Sequence, residues 1–321
     1  MEFVEATRAG TKALIGLYGE SGSGKTYSAL MMGRGLAGPD GLVMLIDTEN
    51  RRGEMYSDAI PGGYKVMQLV EPFSSDRYAE AFLAAEQAAA GRRSCLVIDS
   101  FSHEWEGAGG VVNSAEAIAE AAAARYNRAW DGTVQFGHWK TPKQAHKRMM
   151  LKMLGSPMHI ICCLRAQYAS HQVEQKDYAK YGITSKARTT VIRDEFQTPI
   201  QDKKFIFEMT ANIELSNKQP GVPILRKCPE MLLPALQTTP QLSVEVGQAI
   251  ADWTDGGAAE TFDQAELESE AQAAAHKGTE VYREHFGKLN AQEKAALVNS
   301  GKHELYKADA SDADAALKGG E

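Results

Sequence analysis

The stretch Ala13-Leu14-Ile15-Gly16-Leu17-Tyr18-Gly19-Glu20-Ser21-Gly22-Ser23-Gly24-Lys25-Thr26-Tyr27-Ser28-Ala29-Leu30-Met31-Met32 decides how the rest of the chain is read. An apolar run suited to a buried strand gives way at Gly19 to the pattern G-x-x-x-x-G-K-[ST], and a helix-forming run follows it. Strand, phosphate loop and helix is the context in which that pattern has a mechanism. Its glycines let successive backbone N–H groups curl around phosphate oxygens, Lys25 reaches the β and γ oxygens, and the Thr26 hydroxyl suits Mg²⁺. The candidate nucleotide-binding residues are Gly19, Glu20, Ser21, Gly22, Ser23, Gly24, Lys25, Thr26 and Tyr27.

Downstream, Leu42-Val43-Met44-Leu45-Ile46-Asp47 and Ser94-Cys95-Leu96-Val97-Ile98-Asp99 are continuous apolar runs of the kind buried on both faces of a parallel sheet. A short strand is expected over Tyr64 to Val70, and helices over Asp76 to Ala90 and Ser114 to Trp130. A further helix is expected to be capped by Thr141 with Pro142 in its first position, and a core strand to run from Met158 to Leu164. The alternation predicts an α/β fold with a mostly parallel central sheet flanked by helices. Tyr168 to Gln197 is polar without a sustained period and reads as a long loop. Lys204 to Met209 and Ala211 to Leu215 read as late strands, and Pro220 to Pro240 holds five of the eleven prolines. A short helix is expected from Ser243 to Trp253.

These patterns divide the chain into a core over 1–254, a linker over 255–262 and a small helical C-terminal module over 263–321. In the module Leu267, Ala271, Ala274, Gly278, Val281, His285 and Leu289 recur at spacings of three and four, as on one face of a single long helix. Asn290 with Glu293 suggests a capping box, and Ser311 to Glu321 a frayed end.

At 321 residues and 43% apolar content, the chain has enough material for one large core and an appendage. A net charge of -7 argues against a wholly basic nucleic-acid coat, while a local basic surface stays compatible with it. Cys95, Cys162, Cys163 and Cys228 lack metal-binding spacing and read as reduced core residues. The N-terminus lacks a signal-peptide pattern and no run approaches membrane-spanning length, so a cytoplasmic protein with no membrane partner is expected.

A phosphate-loop enzyme places a second acid at the end of a neighbouring strand to hold Mg²⁺ through water, which Asp99 fits. Ser100 follows it, so the base that orients the attacking water must lie elsewhere, and Glu49 in Asp47-Thr48-Glu49 offers one. Phosphate loop, Glu49 and an aspartate without an acidic neighbour together resemble the RecA class of ATPases. Asp99-Ser100-Phe101-Ser102-His103-Glu104-Trp105-Glu106-Gly107, Ser156 to Ile160 and Leu164-Arg165 look like the phage-encoded RecA-like ATPases found beside single-strand annealing and recombination genes. The similarity covers roughly residues 10 to 235, most specifically at the phosphate loop and from Asp99 to Gly107.

That resemblance implies a RecA-like P-loop core binding ATP and Mg²⁺, with catalytic roles for Lys25, Glu49 and Gln167 and metal-holding roles for Thr26 and Asp99. Gln167 stands where that class senses the γ-phosphate. It also implies a homo-oligomer acting on single-stranded DNA in the cytoplasm of a phage's bacterial host, with Lys203, Lys204 or Arg165 as cations reaching a neighbouring site. The excursion over Tyr168 to Gln197 carries Lys176, Lys180, Lys186, Arg188 and Arg193 among tyrosines, a mixture suited to single strands, although four acids nearly balance it. Lys143, Lys147, Arg148 and Lys152 read as a charged outer helix face, and His103 and Glu104 as residues shaping the site near Asp99. The C-terminal module looks like one appended to phage recombination proteins, which implies a recombination or replication partner. A helicase or packaging motor, a nucleotide-switched adaptor and a small-molecule kinase share the same loop and remain open alternatives.

Overall fold

The computed structural model describes residues 8, 10–185, 187–255, 264–289, 294, 297, 298 and 300–318. It has a larger compact unit over Gly10–Thr254 and a smaller one that takes in the described residues from Asp255 onward. In the larger unit the chain runs β1 (Leu14–Gly19), α1 (Lys25–Ala37), β2 (Leu42–Asp47), β3 (Lys65–Gln68), α2 (Ser75–Ala89), β4 (Ser94–Asp99), α3 (Ser102–Glu106), α4 (Val111–Ala124) and α5 (Lys140–Leu154). It continues through β5 (His159–Glu174), β6 (Thr189–Pro199), α6 (Phe205–Glu208), β7 (Ala211–Ser216), β8 (Gln219–Lys227), α7 (Leu233–Leu236) and α8 (Val244–Asp255).

The strands form one sheet in the order β3-β2-β4-β5-β1-β7-β8, with β6 paired to β5 outside that path. All pairs from β3 across to β7 are parallel, and only β5–β6 and β7–β8 are antiparallel. β1, β2 and β4 are buried along their whole length because helices cover both faces, which is why they read as unbroken apolar runs. Alternate residues go to opposite faces. Ile15, Leu17, Val43, Leu45, Val97 and Ile161 pack with Leu30, Met32 and Leu36 of α1 and Val246 and Ile250 of α8. Leu14, Met44, Ile46, Leu96, Ile98 and Ile160 pack with Tyr78 and Phe82 of α2 and Met149, Met150 and Met153 of α5. The parallel arrangement gathers the C-terminal ends of β1, β2, β4 and β5, and with them the candidate site, at one edge.

Four expectations change. Tyr168 to Gln197 is an antiparallel ribbon, since β5 continues for 16 residues and returns as β6 around a 3₁₀ turn at Gln175–Tyr181. Few of its residues are buried, so no apolar run marks them, although β6 alternates between exposed and half-buried positions. Lys204 to Met209 is no strand: Phe205–Glu208 makes one helical turn that drops Phe205 into the core, and Ala211–Ser216 joins β1 in parallel. The helix expected over Ser114 to Trp130 is α4, ending at Ala124. Thr141 caps nothing, because α5 begins at Lys140 behind a 3₁₀ turn, and Pro142 sits within its first turn, where an N–H has no helical partner. The proline-rich segment after Pro220 supplies the edge strand β8, where proline's missing donor is tolerated.

The smaller unit holds α9 (Gln264–Ala275), α10 (Thr279–Lys288) and α11 (Lys302–Lys318) around Leu267, Ala271, Ala274, Tyr282, Tyr306 and Ala310. The expected single helix is broken at Gly278, whose φ of 108° only glycine adopts readily, and the Thr279 N–H is taken up by the Asp314 carboxylate at 3.3 Å. Helix α11 runs to Lys318 rather than fraying from Ser311. The Asn290–Glu293 capping box, Lys186 and most of the 255–262 linker lie outside the described residues.

Helices α1 and α8 approach through two glycines. A Cβ on Gly247 would sit 2.1 Å from the Met32 carbonyl oxygen, and one on Gly35 would sit 2.0 Å from that of Val244. Gly247→Ala is therefore expected to cost about 2–3 kcal/mol in urea unfolding through overpacking. Gly137→Ala, where nothing lies within 4 Å, is expected to stay within about 0.5 kcal/mol of wild type. Equal stability of the two variants contradicts the close helix crossing.

Candidate functional site

The loop between β1 and α1 is shaped by glycines that no other residue replaces. Gly22 and Gly24 take left-handed φ values of 79° and 86°, and a Cβ on Gly19 would lie 2.2 Å from the Leu215 carbonyl oxygen of β7. The Ser23 carbonyl accepts the Gly221 N–H at 3.1 Å, which ties the loop to β8. Lys25 Nζ donates to the Gly19 and Glu20 carbonyls of its own loop, each at 2.9 Å, and burial lowers its pKa. Thr26 Oγ1 donates to Asp99 Oδ2 at 2.5 Å. Burial pushes the Asp99 carboxyl up to about 6. The Thr26 bond and the Lys25 charge oppose the rise, while Glu49 and Asp47 add to it.

Glu49 is aimed by the residue two before it. Asp47 is buried and accepts the Glu49 N–H at 2.7 Å and the Gly53 N–H at 2.9 Å, fixing the turn that follows β2. Glu49 Oε1 accepts from Arg165 Nε at 3.1 Å and Nη2 at 2.8 Å. Arg52 stands 3.7 Å from its other oxygen, and His103 Nε2 lies 3.8 Å from Oε1.

The register of β5 explains these neighbours. β5 lies between β1 and β4, with Arg165 opposite Gly19 and Cys163 opposite Asp99. Arg165 and Gln167 therefore emerge between the phosphate loop and Asp99, and both line an open cleft of about 690 Å³ with Gly19, Lys25, Thr26, Glu49 and Asp99. Gln167 lies within β5, paired with Thr198 of β6, so the strand in the cleft is also the first strand of the ribbon.

Other candidates fall elsewhere. Ser23 is buried, and Tyr27 packs on Tyr56 with ring centroids 5.7 Å apart; neither lines the cleft. His103 and Glu104 face opposite ways. Glu104, fully buried, accepts from Ser75 Oγ at 2.5 Å and meets His146 Nδ1 at 3.0 Å, tying α3 to α2 and α5 rather than shaping the cleft. His159 Nδ1 accepts the Ala13 N–H at 3.1 Å. The four cysteines carry free thiols, with Cys95, Cys162 and Cys163 buried. Lys143, Lys147 and Arg148 are exposed on α5 and Lys152 is half-buried, with Lys143 3.5 Å from Asp202 and Arg148 3.4 Å from Asp76. Lys203 and Lys204 are exposed and precede α6, outside the cleft.

Sequence reading left out Asp47, Arg52 and Glu106, the last of which lines the cleft 4.0 Å from Arg165. Asp47 had a legible signal, a buried acid two residues before another; the Arg165 pairing depends on strand register and had none. Among the described residues no group of three or more His, Cys, Asp or Glu side chains is placed to hold a metal, and no helix is long and apolar enough to cross a membrane. One hydroxyl, one acid and a phosphate cradle instead fit a hard cation that keeps most of its waters and shares the nucleotide's phosphates.

No curated protein matches the chain. A family model described as AAA domain matches residues 11–198, more than half of the chain, from the start of β1 through nearly all of β6. Phosphate loop, Asp99 and the strand between them all fall inside that span, and the chain belongs to the AAA domain family, its larger unit being a P-loop nucleotide-binding domain.

Proposed function

We propose that the chain is a Mg²⁺-dependent, RecA-like ATPase that acts on single-stranded DNA as a homo-oligomer in phage recombination, annealing or replication. The observation that carries the hydrolytic part is the convergence of Lys25, Thr26, Asp99 and Glu49 on one cleft. Lys25 holds the β and γ oxygens once it leaves the loop carbonyls, and Thr26 and Asp99 are the residues that would hold the cation. Glu49 orients the attacking water. A Mg²⁺ held there would neutralise charge on the phosphates. Gln167, in the strand that leaves the cleft for the ribbon, senses the γ-phosphate.

Two surfaces support the DNA part. In the ribbon Arg193 lies over the Tyr168 ring at 3.8 Å, but Lys176 and Lys180 are engaged by Glu174 and Asp177, each at 2.8 Å. The segment between α4 and α5 is less balanced, with exposed Arg125, Arg128 and Lys140 against Asp131. Phe136 is 95% exposed and Tyr126 77% exposed. Cations beside open aromatic faces are the chemistry of sequence-tolerant single-strand binding. Lys203 and Lys204, exposed and outside their own cleft, suit a cation offered to a neighbouring subunit, and the C-terminal helices are the surface for a recombination or replication partner.

ATP hydrolysis measured with and without single-stranded DNA tests the reading. Lys25→Ala and Glu49→Gln are each expected to lower kcat by at least about 100-fold, with Glu49→Gln still binding nucleotide. Normal hydrolysis by Glu49→Gln removes Glu49 as the base. Tyr126→Ala combined with Phe136→Ala is expected to weaken single-strand affinity roughly 10-fold or more while leaving DNA-free hydrolysis unchanged, and unaltered affinity excludes that segment.

Asp99 yields a stability test. Its carboxyl titrates near 6 in the folded chain and lower when unfolded, so the native state holds more protons between those values and stability falls as pH rises through them. Asp99→Asn is therefore expected to stabilise the ligand-free protein by roughly 2–3 kcal/mol at pH 8 and by nothing at pH 3, while abolishing Mg²⁺-dependent turnover. Thermal melts at the two pH values check it.

A further inference from the structure

Thr48 and His103 stand behind Glu49 and form a chain of hydrogen bonds with a defined direction. Thr48 Oγ1 accepts the Ser100 N–H at 2.7 Å and keeps one proton to donate and one further lone pair. His103 Nδ1 is 2.7 Å away and the Ser100 carbonyl 3.2 Å, and a Thr48 proton placed on the shorter contact makes Nδ1 the acceptor. An imidazole that accepts at Nδ1 carries its own proton on Nε2 when neutral. Burial, aided by the Arg165 charge, lowers the His103 pKa, against the smaller opposite pull of Glu49, Glu71 and a hydrogen bond to the Thr48 backbone. In that tautomer an Nε2–H faces Glu49 Oε1 across 3.8 Å, the same oxygen that Arg165 holds.

The two groups around that oxygen differ in freedom. The Arg165 side chain is 45% exposed and lines the cleft, where the phosphates of a bound nucleotide compete for its charge. His103 is 12% exposed, with its ring stacked on Phe73 at a centroid distance of 4.9 Å and an interplanar angle of 25°. Thr48 in turn is pinned by its backbone N–H, which donates to the Asp99 carbonyl at 2.7 Å. From this arrangement we infer that His103 is a positioning residue for Glu49: oriented by Thr48, its Nε2–H anchors Oε1 when Arg165 turns to the nucleotide, leaving the other carboxylate oxygen to orient water. The inference rests on Glu49 acting as the base.

The test is steady-state ATP hydrolysis by the full chain, with a fluorescent ATP analogue to read nucleotide affinity and thermal melts to confirm folding. Gln at position 103 carries an amide N–H to the place of Nε2, whereas Asn reproduces only the Nδ1 side. His103→Asn is expected to lower kcat roughly 10- to 100-fold with nucleotide affinity unchanged, and His103→Gln to recover most of the loss. Thr48→Val, which removes the proton that sets the tautomer, is expected to lower kcat as His103→Asn does, and Thr48→Ser to retain it. In a Glu49→Gln background, His103→Asn is expected to add no further loss. Wild-type kcat in His103→Asn and Thr48→Val, equal losses in His103→Asn and His103→Gln, or an additive loss in the double variant overturns the inference while leaving Glu49 as the base. Normal turnover by Glu49→Gln alone overturns both.

Discussion

A hydroxyl of α1 meets a carboxylate of β4 although a whole strand, β5, lies between β1 and β4 in the sheet. The 2.5 Å contact from Thr26 to Asp99 spans the middle of β5, where Cys163 and Arg165 lie opposite Asp99 and Gly19, and the phosphate loop reaches it by leaving the line of β1. That turn requires the left-handed backbone of Gly22 and Gly24 and the bare Cα of Gly19 against β7. The same constraint leaves this part of β5 exposed between loop and acid, so whatever β5 carries there must enter the site. Arg165 and Gln167 are the residues it carries.

What could be read from the chain follows from burial. β1, β2, β4 and the first part of β5 are covered on both faces, so their interiors are unbroken apolar runs that announce themselves. The ribbon of β5 and β6 has neither face fully covered, and its polar sequence carried no period to find. In the tail, apolar residues keep helical spacing across Gly278, so the pattern ran straight through a break set by one backbone angle. Lys25, Thr26 and Asp99 were legible because loop and strand end mark them locally. The pairing of Arg165 with Glu49, and of Thr48 with His103, joins residues 116 and 55 positions apart, which only the sheet order brings together.

Three buried acids near the ends of β2 and β4 show how the fold separates support from chemistry. Asp47 receives two backbone N–H groups, and Glu104 is surrounded by Ser75, His146 and Gln201, so both are fully engaged and hold the scaffold still. Asp99 receives one hydroxyl and lies near two other carboxylates. A buried charge left that poorly compensated is costly, and the cost is concentrated where a ligand is to arrive.

That unequal treatment leaves the ligand-free fold with one buried carboxyl whose charge is poorly compensated. Because a ligand that binds the folded chain alone stabilises it in proportion to the logarithm of its concentration, cleavage through transient opening slows as nucleotide accumulates. Occupancy of the cleft thus sets how often the folded chain opens, and with it the chain's lifetime.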